Sequence, residues 1–212
     1  MRRNIDAANG LPASCTLDAV RQIKPVEQGS IDHLCGLYTV INALRLLTPK
    51  SPQRDRALFE SGVAYLDERE WLSTVLTEGM PTRLFVGLAR HLAKGHDLQI
   101  ERVVASRKSD MPEQTIKSAI ATGIPVLAAI DPPLDHYSVI CGYSPTRWLL
   151  FDSYGYRWLN RRHCSFQRRP TASHRLSAWT LSAPTATNLK GSNNDTSICA
   201  ATARFEAAVI SG

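Results

Sequence analysis

The longest apolar pattern in the chain covers residues 34–47, Leu-Cys-Gly-Leu-Tyr-Thr-Val-Ile-Asn-Ala-Leu-Arg-Leu-Leu, and Thr48-Pro49 ends it. Its apolar positions spread around most of a helical circumference, which predicts a central helix covered on several sides. Residues 54–66 and 69–78 carry the one-sided pattern of amphipathic helices. A further helix is expected over 82–94, with Pro81 just before its start and Gly95 just after its end. The texture then changes. Residues 98–105 read as a strand, 112–122 as a short helix ended by Gly123, and 124–130 as an apolar run of strand length. Further strands are expected over 136–143, 148–152 and 176–181, with Ser144-Pro145-Thr146 and an arginine-rich segment between them.

Helices first and strands second is the α+β pattern, and the short returns between strands make the sheet mostly antiparallel. Residues 1–25 are polar and irregular and read as a flexible lead-in, with a short helix around 16–23. Residues 26–183 form the folded domain. From Pro184 to Gly212 the composition thins to Ala, Thr, Ser, Asn and Gly, which reads as a flexible tail with at most a marginal helix over 200–210. No internal repeat is visible.

At 212 residues and 43% hydrophobic, the chain has enough apolar mass for one core. No apolar run is long enough to span a bilayer, and the start shows charge without the apolar stretch of a secretory signal. Cys15, Cys35, Cys141, Cys164 and Cys199 are odd in number and contain no C-x-x-C pair, which argues against a zinc ribbon or a disulfide framework and favours a reducing, cytoplasmic compartment. Delivery as a secreted effector would suit the same residues. The net charge is +6. Residues 1–156 carry equal numbers of acids and bases, and the excess lies in Arg157, Arg161, Arg162, Arg168, Arg169 and Arg175. That stretch reads either as a solvated surface or as a docking face for an acidic partner; a nucleic-acid backbone fits it less well. No P-loop, G-x-G-x-x-G or H-E-x-x-H occurs, so no cofactor and no metal are expected.

Four residues define a possible chemistry. Cys35 stands at the head of the buried helix, where the positive end of the helix dipole favours a thiolate. His136 opens one strand and Asp152 closes the next. Their order suits an imidazolium partner for the thiolate and a carboxylate that fixes the imidazole tautomer. Gln28, seven residues before Cys35, has a side-chain amide able to serve an oxyanion together with the Cys35 N–H. Each has a plain structural alternative: a buried small hydrophobe, a strand histidine, a turn aspartate and a surface glutamine. The joint order raises the catalytic reading, because a catalytic thiol and its partners are usually distant in sequence. Elsewhere, His33 reads equally as rimming the cleft that Cys35 would open onto or as facing solvent, and Cys141 and Tyr38 read as packing. Asn42 reads as a buried hydrogen bond, His163-Cys164 as structural or incidental, and Trp148 and Trp158 as core or as shields for His136 and Asp152.

These segments resemble papain-like cysteine peptidases, in particular the bacteriocin-leader-processing peptidases and their soluble relatives. Gln28-Gly29-Ser30-Ile31-Asp32-His33-Leu34-Cys35-Gly36-Leu37-Tyr38 resembles the nucleophile segment. Gly123-Ile124-Pro125-Val126, His136-Tyr137-Ser138-Val139 and Trp148-Leu149-Leu150-Phe151-Asp152-Ser153 resemble the turn, the histidine strand and the aspartate strand. The resemblance covers roughly 26–155 and implies a papain-like fold with Cys35 as nucleophile, His136 as base, Asp152 as orienter and Gln28 as oxyanion donor. It implies a peptide or protein substrate cut at a peptide or isopeptide bond. The chain departs from that family at Leu34, Leu37 and Ser153, and between Leu47 and Leu98 it is long and helical. The same fold implies two alternatives: a protein glutamine deamidase or transglutaminase-type effector, and a catalytically silent binding module. The Asp32-His33-Leu34-Cys35 run also resembles the start of ovarian-tumour-type deubiquitinases.

Composition alone generates one expectation for the tail. Residues from Pro184 onward offer too little apolar surface to offset the entropy of ordering them. A chain ending at Ala183 should therefore express, fold and melt like the full chain, and an insoluble product would show that the tail docks on the core.

Overall fold

The protein is described by a computed structural model that places residues 10–48, 51–103, 111–167 and 172–183. The apolar run after Leu34 forms helix α1 (Cys35–Leu47), most of whose residues are buried. A helix apolar around its circumference has to be covered around its circumference. Helices α2 (Pro52–Asp67) and α4 (Thr82–Lys94) and strands β3 (Val126–Ile130) and β4 (His136–Tyr143) all pack against it. At Gly62 the α1–α2 contact leaves no room for a side chain, because a Cβ there would stand 2.3 Å from Leu37 Cδ1. Leu37, one of the departures from the peptidase pattern, is fully buried in that contact.

The remaining elements are helices α3 (Leu72–Glu78) and α5 (Met111–Ala121) and six further strands. These strands are β1 (Cys15–Thr16), β2 (Gln99–Val103), β5 (Arg147–Phe151), β6 (Trp158–Asn160), β7 (Cys164–Ser165) and β8 (His174–Ser182). The sheet runs β2-β8-β3-β4-β5-β6, with β1 joined to β4 and β7 to β8. Every pairing is antiparallel except β7 with β8. The fold is α+β, with the helices ahead of most of the sheet. Among the described residues no helix is long and apolar enough to cross a membrane.

Several boundaries differ from the periodicity, each for a local reason. Helix α2 starts at Pro52 because Pro suits the first helical position and the Ser51 hydroxyl accepts the Arg54 N–H. Helix α3 starts only at Leu72 because Glu70 sits at φ 60° and breaks the turn before it. The strand expected over 124–130 begins at Val126, since the Ile124 N–H is used by Ala119 O to close α5. The lead-in is the largest difference. Its expected helix is a single 3-10 turn (Asp18–Arg21), and Cys15–Thr16 pairs with β4. The Leu17 N–H donates to Cys141 O, and the Tyr143 hydroxyl donates to Pro12 O. A polar segment can be held to a sheet through backbone bonds that leave no trace in its apolar pattern. Residues 1–9, the strand end at 104–105 and the tail at 184–212 lie outside the described residues.

Asn42, fully buried on α1, clamps the segment that leads to Gln28. Its Oδ1 accepts the Val26 N–H at 2.7 Å and its Nδ2 donates to Val26 O at 3.0 Å. Asn42→Ala leaves that N–H and C=O without their partner and should destabilise the fold by about 1–3 kcal/mol. A shift in denaturant midpoint tests this, and an unchanged midpoint would show that water replaces the amide.

Candidate active site

His136 is the first residue of β4, which lies between β3 and β5 inside the sheet. The antiparallel register pairs Val139 with Phe151, so Asp152, the first residue past β5, falls opposite Ser138 and diagonal to His136. Side chains alternate with a period of two, so this register puts His136 and Asp152 on one face. They meet there. His136 Nε2 lies 2.7 Å from Asp152 Oδ2, and the two side chains are 8% and 0% exposed. The other carboxylate oxygen accepts the N–H groups of Tyr154 at 2.8 Å and Tyr156 at 3.1 Å. The chain after β5 therefore wraps its own carboxylate, and it carries two tyrosine rings edge-on to the His136 ring, at 6.4 and 5.3 Å between centroids.

Burial works against a charged imidazole, but the hydrogen bonds and negative charges of Asp152 and Cys35 outweigh it and push His136 up to about 9. Burial likewise works against the Asp152 carboxylate. The bond and charge of His136 and the Tyr154 N–H overcome it and hold Asp152 below the ordinary carboxylate value.

Cys35 is the first residue of α1, and no side chain caps that helix start. The free N–H groups of the first turn and the positive helix end thus belong to the site. Cys35 is 9% exposed and stands beside the His136 side chain, close enough to favour its charged form. With Nε2 engaged by Asp152, Nδ1 is the ring nitrogen left for the sulfur.

The loop before Cys35 is buckled by Asp32. One of its oxygens accepts the Gly29 N–H at 2.8 Å and the other the Leu34 N–H at 3.1 Å. A side chain at Gly29 would displace this carboxylate, since a Cβ would lie 2.6 Å from Asp32 Oδ2. The loop positions Gln28. Its Oε1 accepts the Ser153 hydroxyl at 3.2 Å, its Nε2 points to Asp32 O at 3.4 Å, and its backbone N–H donates to Ser153 O. Ser153, another departure from the peptidase pattern, thereby ties Gln28 to the residue after Asp152. The structure brings Cys35, His136 and Asp152 into one chain of contacts, with Gln28 joined to it through Ser153.

Cys35 opens onto a cleft of about 430 Å³ whose lining includes His33, Trp71, Glu78, Asp135 and Tyr137. A second hollow of about 290 Å³ is lined by Gln28, Ser153 and Tyr154 among others. Tyr137 fixes the cleft wall: its hydroxyl donates to Met80 O at 2.7 Å and its ring stacks on Phe85 at 4.2 Å. Burial pushes the Tyr137 phenol up to about 12.

Of the two readings open for the tryptophans, core or shield, Trp148 takes the core. Trp148 is fully buried beside Phe166, and Trp158 lies at the surface under Arg147. Tyr154 and Tyr156 hold the place beside His136, and only the turn around Asp152 decides it. Cys141 packs in the core, with its thiol pushed up to about 12 by burial. Among its described residues, the arginine-rich stretch is not all free surface. Arg161 turns inward to Glu113, to the carbonyls of Ser144 and Pro145 and to the Trp148 ring. Arg175 lies 3.7 Å from Asp131, Arg157 and Arg162 are exposed, and Arg168 and Arg169 lie outside the described residues. Among the described residues no three His, Cys, Asp or Glu side chains gather as a metal site. No protein-family model matches the chain, and no curated protein matches it significantly.

A histidine that gains a proton on folding stabilises the native state at low pH. Here that stabilisation is complete below the unfolded value of about 6.5 and is lost as pH rises through about 9. Unfolding free energy should fall across this window, and fall less in His136→Gln. In Asp152→Asn the His136 ring, followed by NMR, should titrate at or below 6.5, because burial then acts with less opposition. A ring still titrating near 9 would assign its charge to another partner.

Proposed function

We propose that this protein is a cysteine-dependent hydrolase of papain-like fold that cleaves a peptide or isopeptide bond in a peptide or protein substrate. The observation that carries the reading is His136 hydrogen-bonded to Asp152, with Cys35 beside the same imidazole at an uncapped helix start that borders an open cleft. A nucleophile helix packed against an antiparallel sheet supports the papain-like assignment. The four described cysteines are free, as a thiol nucleophile in a reducing compartment would be.

In this mechanism the Cys35 thiolate attacks the carbonyl carbon, with His136 beside it as imidazolium. The oxyanion is received by the Cys35 N–H and the Gln28 amide, whose carbonyl end is held by Ser153. His136 protonates the departing amine and leaves an acyl-enzyme. Water then attacks that ester of the thiol, with His136 taking its proton, and the carboxylic acid leaves as the thiolate is restored. Asp152 keeps the proton-bearing Nε2 fixed and stabilises the imidazolium. Asp135, at φ 47°, turns the chain into β4 and so aims His136.

Four variants test this. Cys35→Ala should abolish cleavage of a mixed peptide library, read by mass spectrometry, with melting nearly unchanged. Asp152→Asn keeps an acceptor for the Tyr154 and Tyr156 N–H groups while removing the charge, so turnover should drop by up to about 10⁴ with the turn intact. Gln28→Ala should cost about 10²–10³ in kcat. Iodoacetamide should modify Cys35 at pH 7 faster in the wild type than in His136→Ala. Equal rates would leave Cys35 an ordinary buried thiol, and a mass change without fragments would assign a side-chain amidase.

A further inference from the structure

The cleft beside Cys35 carries charge of one sign. Glu78, the last residue of α3, and Asp135, at the turn into β4, both line it. Both are exposed, and neither has a hydrogen bond or ion pair among the described residues. Among the described residues no lysine or arginine lines the cleft. Trp71, 40% exposed, contributes an aromatic face, and Met80 and Pro81 contribute apolar wall. The wall is not free to drift, because Tyr137 holds the Met80 carbonyl and Gly36 lets Met80 Sδ approach to 3.1 Å of where a Cβ would stand. A volume of about 430 Å³ falls in the range of small-ligand sites.

Two unpaired carboxylates, an aromatic face and an apolar wall suit a long aliphatic side chain that ends in a cation. The stem packs on apolar surface, and the charged head meets carboxylates or a π face. An acidic side chain would meet like charge there. We propose that this cleft is the subsite for a lysine or arginine side chain of the substrate, with Glu78 and Asp135 supplying the charge and Trp71 the ring. The proposal rests on the hydrolase reading of Cys35. It assigns specificity to the helical stretch between α1 and β2, which supplies Trp71, Glu78 and Met80.

Small thiol reagents of different charge test it without a known substrate. Cys35 is modified with three methanethiosulfonates, carrying a trimethylammonium, a sulfonate or a neutral methyl group, and the label is located by peptide mapping. Rates are divided by those toward free cysteine. The wild type should favour the cationic over the anionic reagent by about tenfold at low salt, less at high salt. Glu78→Gln with Asp135→Asn should remove most of that preference, and Trp71→Ala should reduce the cationic rate further. Equal corrected rates for both charged reagents, with the neutral reagent fast, would overturn the cationic subsite and leave the hydrolase intact. A neutral reagent no faster than with an ordinary buried thiol would overturn the hydrolase reading and the subsite with it.

Discussion

Between β4 and β5 the chain pairs Val139 with Phe151, and a slip of one residue there would turn Asp152 away from His136. The register is pinned from both sides. All eight residues of β4 are buried, so a slip would exchange every side chain between two closely packed faces. The one irregularity in the pairing falls between Ile140 and Gly142, toward the strand end remote from His136. There Gly142 admits the β1 backbone, since a Cβ would stand 2.8 Å from Cys15 O. The bulge therefore absorbs the misfit at one end of the sheet and leaves the end with His136 regular. A buried imidazolium and carboxylate are costly to desolvate, and good geometry with further hydrogen bonds is needed to offset that cost. Both conditions are met, because Asp152 accepts from two backbone amides as well as from His136.

The sulfur arrives from the other half of the molecule. Helix α1 is held by α2, α4 and the sheet at once, which leaves its first turn little freedom. The loop before it is fixed by polar bonds instead: Asn42 to Val26, Asp32 to Gly29 and Leu34, Gln28 to Ser153. The last of these crosses from the helical half to the sheet half beside Asp152. Apolar packing sets the position of Cys35, and short-range polar bonds set the groups around it.

This division explains what could be read before folding. Helices α1 and α4 and strands β4 and β5 were legible because apolar patterns dictate them, and with them came Cys35, His136 and Asp152. Elements held by backbone bonds left no such pattern. Strand β1, strand β6 and the turn that wraps Asp152 are of that kind, so Tyr154 and Tyr156 went unrecognised. The cleft lining was also hidden. Trp71 and Glu78 stand at the two ends of α3 and Asp135 precedes β4, and both elements are entered next to residues with positive φ, Glu70 and Asp135. Asn42 was visible because a polar residue inside an apolar helix needs a partner.

Net charge misleads at the scale of the cleft. The basic excess suggests attraction for acids, yet Arg161 is consumed in joining α5 and the β4–β5 turn through Glu113, Ser144 and Pro145. Arg175 faces Asp131. What remains of the excess acts at long range, and physiological salt screens exposed charges beyond about 8 Å. Groups inside a cleft act over shorter distances and through less water. Glu78 and Asp135 thus govern what a side chain meets beside Cys35, while the arginines govern at most how a larger partner approaches. Under the proposed hydrolase reading the two preferences are compatible: a basic residue entering the cleft, within a chain whose more distant surface is acidic.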